Sequence, residues 1–231
     1  MAIDIVKSYS ENIKGCKVCF VHAKLSNINE IAIKVHDDIM DTSWLSKLKP
    51  LPKIAYEQRA KDTIKSIVEN ILNKVTNSVT EDLGELIVST QGQSLLEQKH
   101  DHRKLPLAEL WKEKDRGNPG FDFHTESPTN YITFGEAKYN SNQTAYGKAL
   151  TQINNFIDKG KDKKEMSDLE HFTTEKAQAN FLLPTGKAFA AAFSVHSDAP
   201  DTIFKNIKKC DKFKELLKYP ELYLIGIQIV N

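Results

Sequence analysis

Residues 120–138 read GFDFHTESPTNYITFGEAK, and the pattern of this stretch predicts a β-hairpin. Its two halves, Gly120–His124 and Tyr131–Lys138, are rich in aromatic and β-branched residues, which favours strands. The Ser-Pro-Thr-Asn sequence between them is a typical turn signal. We therefore expect two strands that lie next to each other in one sheet.

Three charged residues of this hairpin are spaced so that they can meet. Residues i and i+2 of a strand point to the same face, so Glu136 and Lys138 project together. Asp122, on the neighbouring strand, can bring a second carboxylate to that face. Two carboxylates and a lysine favour a site for a hard divalent cation and a water, because Mg²⁺ takes oxygen ligands. The alternative is an edge hairpin that carries a surface ion pair.

The hairpin resembles the signature of the PD-(D/E)xK nuclease superfamily, written here as Asp122, a 13-residue spacer and Glu136-Ala137-Lys138. The resemblance implies an α/β fold with a restriction-endonuclease-like core, in which helices flank a mixed β-sheet. It also implies that Asp122 and Glu136 hold Mg²⁺ or Mn²⁺ together with the Ala137 carbonyl, and that Lys138 positions the attacking water. The expected activity is metal-dependent hydrolysis of DNA phosphodiester bonds.

A helix is predicted before the hairpin, with Ser78 or Thr80 as its cap. One face of this helix carries the apolar residues Val79, Leu83, Leu86 and Ile87. In PD-(D/E)xK folds the helix before the catalytic hairpin often contributes a glutamate to the metal site, and Glu85 is the candidate. The alternative is that Glu85 belongs to an ordinary solvated face.

A second helix, Ala145–Ile157, is predicted directly after the hairpin, which is the topology of the superfamily. Lys148 and Gln152 lie in its first turns and are candidates for contacting DNA or orienting the water. His124 is expected to share the strand face of Asp122 and to support the site. Any exposed helix carries such polar residues, so the solvated alternative stays open for Lys148 and Gln152.

Composition restricts the class of protein. The chain has 231 residues, 40% of them hydrophobic, which is enough for a large core. Three cysteines fit a reducing, cytoplasmic location, and Cys16–Cys19 lies in an apolar run that favours a strand over a zinc site. The sequence has no apolar run of membrane-spanning length and no export signal, so we expect a soluble protein. A net charge of +1 suggests local basic patches or a partner that supplies part of the DNA contact.

Two regions are predicted, with a boundary after Pro50. Residues 1–50 form a small αβ extension with a strand at Cys16–Leu25 and a helix at Asn27–Met40, and residues 51–231 form the nuclease-like domain. Two prolines in residues 46–52 predict a connector without helix. Further predicted elements are a helix at Ile54–Val75, a solvated loop at Lys99–Lys104, a short helix at Leu105–Lys114, a polar helix at Glu165–Asn180, buried strands at Phe189–Val195 and Leu222–Val230, and a helix at Pro200–Lys218.

Four segments together resemble the HamA nuclease subunits of Hachiman antiphage defence systems. They are Asp82-Leu-Gly-Glu-Leu, Gly120-Phe-Asp-Phe-His, Phe134-Gly-Glu-Ala-Lys-Tyr and Ala145-Tyr-Gly-Lys-Ala-Leu. The resemblance implies a bacterial defence complex in which a HamB-like superfamily 2 DNA helicase controls the nuclease. Residues 1–50, which lie outside the resemblance, are the expected docking element.

Two alternatives remain at the level of sequence. A stand-alone PD-(D/E)xK restriction endonuclease would read a sequence through its own base contacts. A non-catalytic nucleic-acid-binding or scaffold module could keep the same fold. The intact set of Asp122, Glu136 and Lys138 argues against the second alternative.

Overall fold

A computed structural model describes residues 3–72, 79–112 and 120–230 and shows one mixed sheet of seven strands. In chain order the strands are β1 Ile3–Ile13, β2 Cys16–Ser26, β3 Arg103–Lys104, β4 Phe123–Glu126, β5 Ile132–Lys138, β6 Ala188–Ser194 and β7 Glu221–Val230. Their order across the sheet is β1-β2-β7-β6-β5-β4-β3. The central pairs β2–β7, β7–β6 and β6–β5 are parallel, and the outer pairs are antiparallel. The predicted α/β class with a mixed sheet is confirmed.

Helices cover both faces of the sheet. They are α1 Ile28–Met40, α2 Pro50–Asn70, α3 Glu81–His100, α4 Ala108–Trp111, α5 Tyr146–Asp158, α6 Lys161–Lys164, α7 Met166–Leu169, α8 Glu175–Phe181, α9 Pro200–Lys209 and α10 Asp211–Leu216, with a 3-10 helix at Ser43–Lys47. Helices α5, α9 and α10 contribute to one apolar cluster, and α1 and α3 contribute to the other. None of the helices in the described residues is long and apolar enough to cross a membrane.

The first fifty residues share the sheet with the last strand. The predicted strand and helix are confirmed as β2 and α1, and β2 pairs in parallel with β7 from Lys17 to Ser26. Cys16 and Cys19 point into opposite apolar clusters, as expected for a strand. Strand β1 was not predicted, because an edge strand that alternates half-buried and exposed residues has a weak apolar signal. The domain boundary at residue 50 stays a prediction.

The prediction that Pro50 and Pro52 exclude a helix is wrong. Both prolines lie in the first turn of α2, where a residue without an N–H group breaks no helical hydrogen bond. The predicted end of this helix, Val75, lies outside the described residues. Trp111 is fully buried at the end of α4, as predicted.

The predicted solvated loop at Lys99–Lys104 is also wrong in part. Helix α3 continues to His100, and every residue from Leu86 to Leu96 is buried. Gln93 is bonded there, since its Nε2 donates to the carbonyls of Leu105 and His124 at 2.8 and 2.9 Å. A helix that buries polar and apolar residues alike has no amphipathic pattern, so periodicity did not reveal its length.

The C-terminal elements follow the prediction with two breaks. Strands β6 and β7 are central and buried, as expected. The predicted helix Pro200–Lys218 is interrupted at Cys210, and the predicted helix Glu165–Asn180 is divided into α7 and α8. Two lysines of α9 and α10 form ion pairs, Lys208 with Glu11 and Lys212 with Glu215.

Candidate active site

The hairpin register places Asp122 beside the carboxyl end of β5. Strands β4 and β5 pair in antiparallel register with Phe123 opposite Gly135, and Asp122 N–H donates to the Gly135 carbonyl at 2.8 Å. Asp122 Oδ2 then accepts a hydrogen bond of 2.7 Å from Ala137 N–H. Glycine is required at position 135, because a Cβ atom there would lie 2.3 Å from the Phe123 ring. The backbone therefore holds Asp122 next to Glu136.

Lys138 joins the two predicted glutamates. Its Nζ lies 2.9 Å from Glu136 Oε1 and 3.4 Å from Glu85 Oε1. The Glu136 side chain is fully buried, whereas the Glu85 side chain is 40% exposed and lies at the rim. The structure thus brings together the side chains of Glu85, Glu136 and Lys138 that the sequence proposed, next to Asp122.

Helix α3 reaches this site because it packs very closely on the end of β5. A Cβ atom at Gly84 would lie 2.3 Å from the Tyr139 ring, so only glycine permits the contact. Thr80, one of the two predicted caps, starts the helix by accepting a hydrogen bond from Leu83 N–H at 3.3 Å. The close contact places Glu85 one residue beyond Gly84, facing Lys138.

The electrostatics of the site favour an additional cation. Burial raises the pKa of Asp122 to about 6. Burial and the neighbouring carboxylate of Asp122 raise the pKa of Glu136 well above its usual range. Burial alone would lower the pKa of Lys138, but the carboxylates around it outweigh burial and raise that pKa above its ordinary value. In these surroundings the charged forms of the Asp122 and Glu136 carboxyl groups are unfavourable unless further positive charge is bound nearby.

The residues present fit a divalent cation. Both carboxylate oxygens of Glu136 are buried; Oε1 is ion-paired with Lys138 Nζ at 2.9 Å, and Oε2 has no hydrogen-bond donor within the described part of the chain. A buried carboxylate oxygen without a donor, next to a second carboxylate, is a suitable ligand for Mg²⁺ or Mn²⁺. No group of three or more His, Cys, Asp or Glu residues arranged for a metal occurs among the described residues. The chain would thus supply two carboxylates, which is common for Mg²⁺ sites completed by phosphate and water. The role of the Ala137 carbonyl stays a prediction.

A small pocket of about 170 Å³ opens beside these residues. Asp122 and Glu85 line it together with two carboxylates that sequence reasoning missed, Asp82 and Glu109. Asp82 lies in the same segment as Glu85, so its position on α3 could have indicated it. Glu109 comes from α4, and only the packing of α4 against α2 brings it here. The pocket is strongly acidic, which again favours cations.

The three supporting candidates are placed differently. His124 is fully buried, bonds to Glu165 through Nε2 at 2.8 Å, and packs its ring on Trp111 and Phe134. It has no exposed surface for DNA, and its supporting role stays a prediction. Lys148 is exposed and Gln152 half-buried on α5, which starts beside the end of β6 through a 3.1 Å bond from Ala145 N–H to Ser194 O. Their contact with DNA stays a prediction.

No protein-family model matches the chain, and no curated protein matches it significantly. The chemistry of the site is therefore inferred from its own residues.

Proposed function

We propose that the chain is a divalent-metal-dependent deoxyribonuclease with a PD-(D/E)xK restriction-endonuclease-like core. The observation that carries the proposal is the buried Glu136 carboxylate, which has Lys138 Nζ at 2.9 Å from Oε1, no hydrogen-bond donor for Oε2 among the described residues, and Asp122 beside it. A structural ion pair would not need a second, half-buried carboxylate beside it, and holding both away from water without a ligand is costly. A cation-dependent site gives this arrangement a chemical purpose.

Each residue then has a defined task. Asp122 and Glu136 would hold Mg²⁺ or Mn²⁺, with the Ala137 carbonyl as a further oxygen ligand. The bound cation supplies Lewis-acid chemistry, lowering the pKa of a water and neutralising charge on the phosphoryl oxygens. Lys138, whose pKa the surrounding carboxylates raise, would orient the water and stabilise charge on the phosphate. Glu85 orients Lys138 from the rim of the site.

We further infer that the nuclease is a HamA-like subunit of a bacterial antiphage defence complex. The four motifs given above support this, and their glutamates and lysine come together in space. The partner would be a HamB-like superfamily 2 helicase that delivers DNA to the site. A net charge of +1 agrees with a subunit that relies on a partner for part of its DNA contact.

Alanine substitutions test the nuclease directly. Asp122→Ala, Glu136→Ala and Lys138→Ala should each lower metal-dependent DNA cleavage by about 100-fold or more, because each removes a ligand or a charge stabiliser. Asp201→Ala, in an exposed ion pair with Lys7, is the matched control and should cleave like the wild type. If all three site variants cleave DNA normally, the proposal is wrong. Discrete fragments from the chain alone would instead indicate a restriction endonuclease.

A further inference from the structure

A buried glutamate outside the Asp122…Glu136-Ala137-Lys138 motif holds the start of β4. Glu165 lies between α6 and α7, and its side chain is only 9% exposed. Its Oε1 accepts a hydrogen bond of 2.9 Å from Phe121 N–H, and its Oε2 lies 2.8 Å from His124 Nε2. Glu165 therefore contacts the residue directly before Asp122 and the residue two positions after it.

Lys112 completes the contact from the other side. Its Nζ lies 2.6 Å from Glu165 Oε1 and also donates to the Phe121 carbonyl. Both backbone polar groups of Phe121 are thus bound by one buried ion pair. Gly120 makes room for this pair, because a Cβ atom there would lie 2.0 Å from Glu165 Oε1. The sequence around Phe121 is adapted to the ion pair.

This ion pair holds the chain on the N-terminal side of Asp122. Asp122 is not part of β4. It lies one residue before Phe123, the first residue of β4 that pairs with β5. The Asp122 carboxylate itself bonds only to Ala137 N–H among the hydrogen bonds of the described residues. The position of Asp122 is therefore set by its own backbone hydrogen bond to the Gly135 carbonyl and, on its N-terminal side, by Phe121 and the groups that bind Phe121.

We propose that Glu165 and Lys112 are positioning residues that fix Asp122 for cation binding. The proposal rests on the proposed function, because it assumes that Asp122 is a cation ligand. A residue that orients a metal ligand from behind commonly changes metal affinity 10–100-fold when it is replaced. If the ion pair were merely structural, replacing one of its residues would change stability but leave the metal affinity of a correctly folded site unchanged.

The same strand offers a matched control at its other end. Glu126 accepts hydrogen bonds from Thr174 N–H and Oγ1 at 3.0 and 2.6 Å and pairs with Arg103 at 2.5 Å. Like Glu165, Glu126 is a buried carboxylate that accepts a hydrogen bond from a backbone N–H and pairs with a basic side chain. It anchors β4 far from Asp122, so Glu126→Gln should disturb the strand without disturbing the site.

The test measures Mn²⁺ binding to the full chain by isothermal titration calorimetry. Glu165→Gln should bind Mn²⁺ at least tenfold more weakly than the wild type, whereas Glu126→Gln should stay within about threefold. Hydrogen exchange of the backbone at residues 121–123 should become faster in Glu165→Gln and stay unchanged in Glu126→Gln. If Glu165→Gln does not fold, Lys112→Met provides the same comparison, because it breaks the ion pair but keeps the Glu165 carboxylate.

The outcomes separate the two proposals. Normal Mn²⁺ affinity in folded Glu165→Gln and Lys112→Met would overturn the positioning role alone, as would an equal loss in Glu126→Gln. A wild-type chain that binds no Mn²⁺ would overturn the proposed function and this role with it.

Discussion

Lys138 Nζ lies 2.9 Å from Glu136 Oε1, two residues earlier on the same strand, and the glutamate is completely buried. The lysine is therefore the charge that compensates a carboxylate shielded from water. Removing one partner of a buried ion pair leaves an uncompensated charge and commonly costs several kcal/mol.

We therefore expect Lys138→Met to destabilise the protein as well as to abolish cleavage. The free energy of unfolding at pH 8, measured by urea denaturation, should fall by about 3 kcal/mol. Lys148→Met, an exposed lysine on α5, should change it by less than about 0.5 kcal/mol. Equal effects of the two substitutions would show that Glu136 does not depend on Lys138 for its charge.

Glu85 should affect activity without affecting stability. Its side chain is 40% exposed and its contact with Lys138 is 3.4 Å, so the ion pair contributes little to folding. Glu85→Gln keeps helix propensity but loses the charge that orients Lys138. We expect about a tenfold or larger loss of metal-dependent cleavage with an unchanged melting temperature.

The matched control for Glu85 is Glu81→Gln, an exposed glutamate one turn earlier on α3. It should cleave DNA like the wild type. Unchanged cleavage in Glu85→Gln would return Glu85 to the solvated face of its helix.

Asp122 should make the stability of the protein depend on pH. Its pKa is about 6 in the folded state because of burial, and about 3.9 in an unfolded chain. Between these values the folded state binds more protons, so the free energy of unfolding falls as the pH rises from about 4 through 6. Asp122→Asn cannot ionise, so its stability relative to the wild type should increase over this window.

The difference between the two proteins is measured by urea denaturation from pH 4 to 8. Plotted against pH, the difference in the free energy of unfolding should have a slope of at most about 1.4 kcal/mol per pH unit, the limit for one proton. Parallel curves for Asp122→Asn and the wild type would mean that Asp122 titrates normally in the folded state.

The hairpin and its site were predictable, and the parts that position them were not. Glu136 and Lys138 lie on β5, so the two-residue period of a strand already places them together, and Asp122 directly precedes the neighbouring strand β4. The role of Glu165 depends on the packing of the turn between α6 and α7 against Phe121, which no local pattern encodes. Glu109 was missed for the same reason, since α4 brings it to the pocket only through tertiary packing.

The proposed helicase partner should bind the first fifty residues. Deleting these residues is not a suitable test, because β2 pairs with β7 and its loss would expose a central strand. Ile33 on α1 is 61% exposed, so Ile33→Glu changes the surface without changing the core. It should reduce co-elution with a co-expressed neighbouring helicase on size-exclusion chromatography.

The control for this experiment is Leu182→Glu, which changes an exposed residue outside the first fifty. It should leave co-elution intact. A wild-type chain that elutes alone and cuts DNA at a fixed sequence would contradict the helicase-linked account.

The central claim is that Glu136 is a ligand for the cation on which DNA cleavage depends. The most direct measurement compares Mn²⁺-dependent cleavage of supercoiled plasmid by the wild type, Glu136→Gln and Glu126→Gln, each checked for folding. The account predicts cleavage by the wild type and by Glu126→Gln, inhibition of both by a chelator, and no cleavage by folded Glu136→Gln. Cleavage by Glu136→Gln at the wild-type rate, or chelator-resistant cleavage by the wild type, would contradict it.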